Sequence, residues 1–145
     1  MSEKLITASL VVYQNSKEDI KKVINSFLGC KLHSFLFVVD NSADDSLKEL
    51  CNDSKVQYIF NNKNVGFGAA HNIAFQKAFQ LNSEYHILLN PDVFFKPETI
   101  KGLFEKAETD TSIGLLVPKI VYPNGDTQHL CKLIPTPKDL IIRRF

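Results

Sequence analysis

Short apolar, β-branched runs alternate along this chain with stretches in which apolar residues recur every three or four positions. Ile6 to Tyr13 is the first such run; closed by Gln14-Asn15-Ser16, it reads as a buried strand. Ser16 stands where a helix N-cap belongs, with Asp19 near the positive helix start. Ile20, Val23, Ile24, Phe27 and Leu28 then share one helical face, and Gly29 supplies a stop. Phe35 to Val39 predicts a second strand, ended by Asp40-Asn41-Ser42. A short helix with Leu47, Leu50 and Cys51 leads to a third strand, Val56 to Phe60.

Gly66-Phe67-Gly68 opens another helix, whose Ala70, Ile73, Ala74, Lys77, Ala78 and Leu81 make a narrow stripe suited to close packing on a sheet. Tyr85 to Leu89 predicts a fourth strand, closed by Asn90-Pro91-Asp92, with Val93 to Phe95 as a strand stub. Pro97 suits a first helical turn, and Ile100, Leu103, Phe104 and Ala107 give that helix a buried face. Leu115 to Val117 reads as a further strand, and Asn124-Gly125 as a hairpin turn. Strands alternating with helices in this way predict right-handed βαβ units: an α/β fold whose mostly parallel sheet is covered on both faces.

Composition narrows the picture. The 145 residues carry 17 basic and 16 acidic side chains, so bulk charge gives no ground for nucleic-acid binding. The longest apolar run is the five residues Phe35 to Val39. A bilayer span needs about twenty, so no transmembrane helix is expected. Cys30, Cys51 and Cys131 are widely spaced and odd in number, which suits free thiols in a reducing, cytoplasmic compartment. One domain over residues 1–145 is the expectation from length.

In an open parallel sheet, ligands bind beyond the carboxyl ends of the strands. Tyr13-Gln14-Asn15, Asp40-Asn41-Ser42, Asn64 to Asn72 and Asn90-Pro91-Asp92 all fall at that edge. Asp40 suits either an Asx-type turn or a contact to the N–H of a pyrimidine base. Gly66-Phe67-Gly68 fails the dinucleotide fingerprint, since His71 occupies the third glycine position and the segment follows the third strand. It leaves either a tight turn or a loop allowing close backbone approach of an anion. Asp92, on a platform stiffened by Pro91, suits either an exposed turn or a hard divalent cation that also binds substrate phosphates. His71 is a candidate phosphate contact, and His86 reads as a satisfied core or edge residue.

Taken in order, Ser9-Leu10-Val11-Val12-Tyr13, Val38-Val39-Asp40-Asn41-Ser42, Asn64-Val65-Gly66-Phe67-Gly68-Ala69-Ala70-His71-Asn72 and Leu88-Leu89-Asn90-Pro91-Asp92 resemble family 2 glycosyltransferases of the GT-A fold, especially the rhamnosyltransferase-like branch. The resemblance runs from about Leu5 to the end, including Pro123-Asn124-Gly125 and Pro135-Thr136-Pro137. It implies a three-layer, Rossmann-like sheet and a UDP- or dTDP-sugar donor. It also implies inverting transfer to a hydroxyl of a saccharide or lipid-linked saccharide, in cell-surface polysaccharide synthesis.

By this resemblance Tyr13 packs near the nucleobase and Asp40 contacts it. Asn64, Gly66, Gly68 and Asn72 meet the diphosphate-sugar. Asn90-Pro91-Asp92 corresponds to the Asp-x-Asp motif, with Asn90 at the donor in place of the first aspartate. Asp92 is then the carboxylate for Mg²⁺ or Mn²⁺. Val12 and Gln14 depart from the Thr and Asn common around that tyrosine. The family's proton-accepting Asp or Glu lies in a later segment; Asp126 and His129 are not assigned to that role, and no catalytic base is named. The length thus reads as the N-terminal, donor-binding part of a longer catalytic domain. The tail Leu140-Ile141-Ile142-Arg143-Arg144-Phe145 breaks off in mid-pattern and offers peripheral contact with the inner membrane face. The alternative is a non-catalytic nucleotide-sugar-binding module. A nucleotidyltransferase is disfavoured, because Gln14-Asn15-Ser16-Lys17 replaces its glycine-rich basic loop.

Overall fold

The computed structural model describes residues 4–128. His129, Cys131, Pro135-Thr136-Pro137 and the tail from Leu140 lie outside the described residues. The chain divides into two compact units, Met1–Glu105 and Lys106–Phe145.

In the first unit, β1 (Ile6–Val12), β2 (Ser34–Asp40), β3 (Val56–Phe60) and β4 (Tyr85–Leu89) form a sheet in the order β3-β2-β1-β4, every pair parallel. All of β1 is buried, as a central parallel strand covered on both faces must be. Side chains alternate across it with period two. Ala8, Leu10 and Val12, with Leu36 and Val38, pack on Ile20, Val23, Ile24 and Phe27 of α1 (Lys17–Leu28). Val11, with Phe37 and Val39, meets Ala70, Ala74 and Ala78 of α2 (Phe67–Gln80) on the opposite side. The result is the three-layer α/β architecture expected from the alternation.

Local chemistry sets the element ends. Ser16 caps α1, its Oγ accepting the Asp19 N–H at 3.1 Å. Gly29 ends α1 as expected and sits at φ −65°, so no left-handed conformation requires a glycine there. Its glycine has a packing reason instead: a Cβ there would lie 3.0 Å from Cγ of Pro97. The expected short helix shrinks to a single 3₁₀ turn, Lys48–Leu50, beside the buried Leu47. Val93 to Phe95 forms no strand. α3 (Pro97–Glu108) buries Ile100, whereas Leu103, Phe104 and Ala107 are only half-buried.

The second unit contains an antiparallel pair, β5 (Ile120–Val121) and β6 (Thr127–Gln128). Asn124-Gly125 turns between them as expected: Gly125 sits at φ 91°, and the Tyr122 N–H donates to the Asp126 carbonyl at 2.8 Å. The strand expected at Leu115 to Val117 is absent. Leu115 and Val117 are 78% and 57% exposed, and the following Pro118 has no N–H to offer a ladder.

Candidate functional site at the carboxyl edge of the sheet

The connections make β1 a topological switch. The chain adds β2 and then β3 on one side of β1, and α2 carries it back to β4 on the other side. The loops leaving β1 and β4 therefore diverge at the carboxyl edge, where open α/β sheets bind ligands. A cleft of about 330 Å³ lies there, lined by Val11, Tyr13, Asn15, Asn41, Asn64, Phe67 and Pro91. A larger groove, about 510 Å³, lies at the opposite, amino edge and includes Leu5, Phe35, Lys55, Gln57, Lys77 and Leu81. Size does not decide between them. The carboxyl-edge cleft gathers amide side chains, an aromatic ring on two sides and a helix start; the amino-edge groove sets Lys55, Gln57 and Lys77 among apolar residues and lies away from the switch point.

Each wall is held by its own hydrogen bonds. Gln14 takes a left-handed conformation at φ 55°, and its N–H donates to Ser42 Oγ at 3.0 Å. The Tyr13 N–H donates to Asn15 Oδ1 at 2.9 Å, leaving the ring 46% exposed at the cleft. Asn41 sits almost fully buried at the end of β2. Its Oδ1 accepts from Asn61 Nδ2 at 2.8 Å, and its Nδ2 faces Asn64 Oδ1 and the Gly66 carbonyl, both at 3.5 Å. Asn64 Oδ1 in turn accepts the Gly66 N–H at 2.9 Å, which folds the loop back against α2.

Gly66 precedes α2 at φ 89°, a conformation that side chains resist. Gly68 lies in the first turn, and a Cβ on either glycine would meet nothing within 4 Å. No packing requirement thus explains Gly68, and the space before the helix start is open. The first N–H groups of α2 precede the intrahelical ladder, which opens with Ala70 N–H to the Gly66 carbonyl. They are free donors at the positive end of a helix.

Of the residues singled out in the sequence, Tyr13 and Asn64 line the cleft directly. Asn90 and Asp92 are exposed on either side of Pro91, which does line it. Gly66 and Gly68 border it at the loop and helix start; Asn72 is exposed one turn further along α2 and is not part of the wall. Asp40 is also outside the wall. It is fully buried, its Oδ2 accepting the Tyr58 hydroxyl at 2.7 Å and its Oδ1 the Ser42 N–H at 2.8 Å. Burial pushes the Tyr58 phenol up, and its bond to Asp40 adds to the effect.

His71 is not at the surface, contrary to its reading as a phosphate contact. It is 3% exposed, with Nδ1 2.7 Å from Ser9 Oγ. Burial lowers its pKa, so it carries no charge for an anion at neutral pH. His86 is satisfied on both ring nitrogens, as anticipated, by Thr7 and Ser9. Sequence reading passed over Asn15, Asn41 and Phe67 as individuals. Asn41 had a signal, being the residue that directly follows a buried strand. Among the described residues, no three His, Cys, Asp or Glu side chains converge on a possible metal position. Burial pushes the Cys30 and Cys51 thiols up to about 11, which leaves them unreactive near neutrality.

A parallel α/β sheet with an amide- and aromatic-lined cleft at its switch point defines a ligand-binding α/β domain of the Rossmann-like class. The family model for glycosyl transferase family 2 matches residues 10–142, and the chain belongs to that family. It is also similar, at 27% identity over 135 residues, to the low-salt glycan biosynthesis hexosyltransferase Agl10 of Haloferax volcanii. That alignment covers 92% of this chain and 42% of the relative, so the chain spans less than half of that protein's length.

Proposed function

We propose that this chain supplies the donor-binding part of a glycosyltransferase, which moves a sugar from a nucleotide-diphospho-sugar to an acceptor hydroxyl. The observation that carries this is the cleft at the switch point. Tyr13 offers a flat face for a base, Asn15 and Asn64 offer amides, and Gly66 and Gly68 leave the start of α2 open to a diphosphate. UDP or dTDP is the donor nucleotide proposed, with a saccharide or lipid-linked saccharide as acceptor. Similarity to a hexosyltransferase of glycan biosynthesis supports hexose transfer. An inverting outcome and membership of the rhamnosyltransferase-like branch are the finer form of this reading.

The residues present fit a divalent ion that arrives with the nucleotide. Asp92 is one exposed carboxylate beside the cleft, without the cluster a resident cation requires. Asp92 would hold Mg²⁺ or Mn²⁺ together with diphosphate oxygens, and Asn90 would contact the donor. When bound, such an ion supplies charge neutralisation of the departing diphosphate. Asp40 acts in this reading from behind the wall: its carboxylate fixes Tyr58 and the Ser42 backbone, and Ser42 fixes the turn that carries Tyr13. Asn72, one turn beyond Gly68, is proposed to face the sugar end of the donor.

A second reading, a nucleotide-sugar-binding module without catalysis, is favoured by one observation. The seven cleft-lining residues include no carboxylate or imidazole to take the acceptor's proton. Calorimetry separates metal use from the rest: UDP or dTDP should bind with Mg²⁺ or Mn²⁺, and Asp92→Ala should remove the metal dependence. Equal, metal-independent affinity in both proteins contradicts the Asp92 assignment. Sugar transfer by the chain itself would eliminate the binding-module reading.

A further inference from the structure

On the α2 side of the sheet, polar side chains occupy positions where their neighbours are apolar. Thr7 and Ser9 of β1 are 0% exposed and meet His86 of β4 and His71 of α2. The contacts are short: Thr7 Oγ1 to His86 Nδ1 2.7 Å, His86 Nε2 to Ser9 Oγ 2.8 Å, and Ser9 Oγ to His71 Nδ1 2.7 Å. Among the described residues, His71 Nε2 is the one buried side-chain nitrogen or oxygen without a hydrogen-bond partner. The His71 ring lies edge-to-face with Phe67, centroids 4.3 Å apart, and Phe67 lines the cleft.

Each hydroxyl carries one proton, as does each neutral imidazole, so with the Ser9 proton engaged the chain runs in one of two proton orders. Ser83 selects between them. Its Oγ accepts the Thr7 N–H at 3.1 Å, and its own proton goes to the Tyr85 carbonyl at 2.8 Å, its shortest contact. The Thr7 hydroxyl then donates to Ser83 at 2.9 Å and has no second proton for His86. His86 must donate from Nδ1 to Thr7. Ser9 therefore donates to His86 Nε2, and His71 donates from Nδ1 to Ser9. A bare lone pair is left on His71 Nε2.

We propose that this chain, anchored at Ser83, fixes His71 as the Nδ1–H tautomer and makes it the positioning residue for Phe67 in the cleft wall. A bare ring nitrogen cannot donate to a phosphate, so what His71 offers the cleft wall is its ring contact with Phe67. Burial lowers both imidazoles, that of His86 to about 4, so both are neutral near pH 7. Contact between Phe67 and a nucleotide-sugar rests on the function proposed above; the tautomer does not.

Long-range ¹H–¹⁵N ring correlations on the full chain near pH 7 test it. Expected are a protonated Nδ1 and a bare Nε2 in both His71 and His86, with cross-relaxation between the Phe67 and His71 rings. Ser83→Ala should let both histidines gain Nε2–H, weaken the Phe67–His71 contact and lower UDP affinity several-fold. Ser83→Thr should restore all three. An Nε2–H on either wild-type ring overturns the proton order. Unchanged tautomers in Ser83→Ala overturn the anchor, and altered tautomers with an intact Phe67–His71 contact overturn the positioning role. Wild type with the expected tautomers but no nucleotide binding upholds the chain and contradicts the proposed function.

Discussion

Asp40 shows how one residue type at one position serves a different end from the one its place suggests. Its place at a strand terminus suits a ligand contact, yet both its oxygens are engaged within the protein. Removing the hydroxyl that serves Oδ2 leaves a buried acceptor short of a partner, which costs roughly 1–3 kcal/mol. Tyr58→Phe should lower unfolding stability by about that amount, read from urea denaturation at constant slope. Stability equal to wild type would mean that the Tyr58–Asp40 bond carries no weight. Nothing in the sequence showed this pair, because Asp40 and Tyr58 meet only when β2 and β3 are placed side by side.

At the scale of elements, the loop between β3 and α2 separates two kinds of glycine. Gly66 holds φ 89°, where a side chain strains the backbone, whereas Gly68 is helical and a Cβ on it meets open space. Gly66→Ala should therefore destabilise the fold by about 1 kcal/mol or more. Gly68→Ala should hold or raise stability, by about 0.5–1 kcal/mol, since alanine is the better helix former. The same Gly68→Ala protein should bind a nucleotide diphosphate more weakly, because the added methyl occupies the approach to the helix start. Unimpaired binding by Gly68→Ala would remove the reason offered for that glycine.

Elements of this kind were largely legible in the sequence. The apolar runs and the stripe of Ala70, Ala74 and Ala78 specify strands and a close-packed helix through period alone. The failures share a cause. Leu115 to Val117 has strand composition but forms no strand, and Leu103, Phe104 and Ala107 share a helical face that is only half-buried. Composition records what a segment prefers and omits what it meets. The same holds for the site: Tyr13 and Asn64 were legible from their motifs, whereas Asn41 and Phe67 became candidates only once the cleft joined their loops.

At the scale of the whole molecule, burying neutral histidines ties stability to pH. His86 is lowered from its ordinary 6.5 to about 4, chiefly by burial and then by His71, and burial shifts His71 in the same direction. Between those two values the unfolded chain binds more protons than the folded one. Stability is therefore full above about pH 6.5 and is lost as pH falls toward 4. Urea midpoints measured across that window should decline with falling pH, and His86→Gln should flatten part of the decline. A pH-independent wild-type midpoint would contradict the burial of both imidazoles as neutral groups. Among the described residues no helix is long and apolar enough to cross a membrane.

The central claim is that the nucleotide binds at the switch-point cleft and not in the larger groove at the amino edge. Amide NMR during titration with UDP or dTDP and Mg²⁺ tests this most directly. The signals of Tyr13, Asn41, Asn64, Gly66, Phe67 and Gly68 should move together and saturate, while those of Leu5, Lys55, Gln57 and Leu81 stay in place. Shifts centred on the amino-edge residues, or no saturable shifts at all, would contradict it.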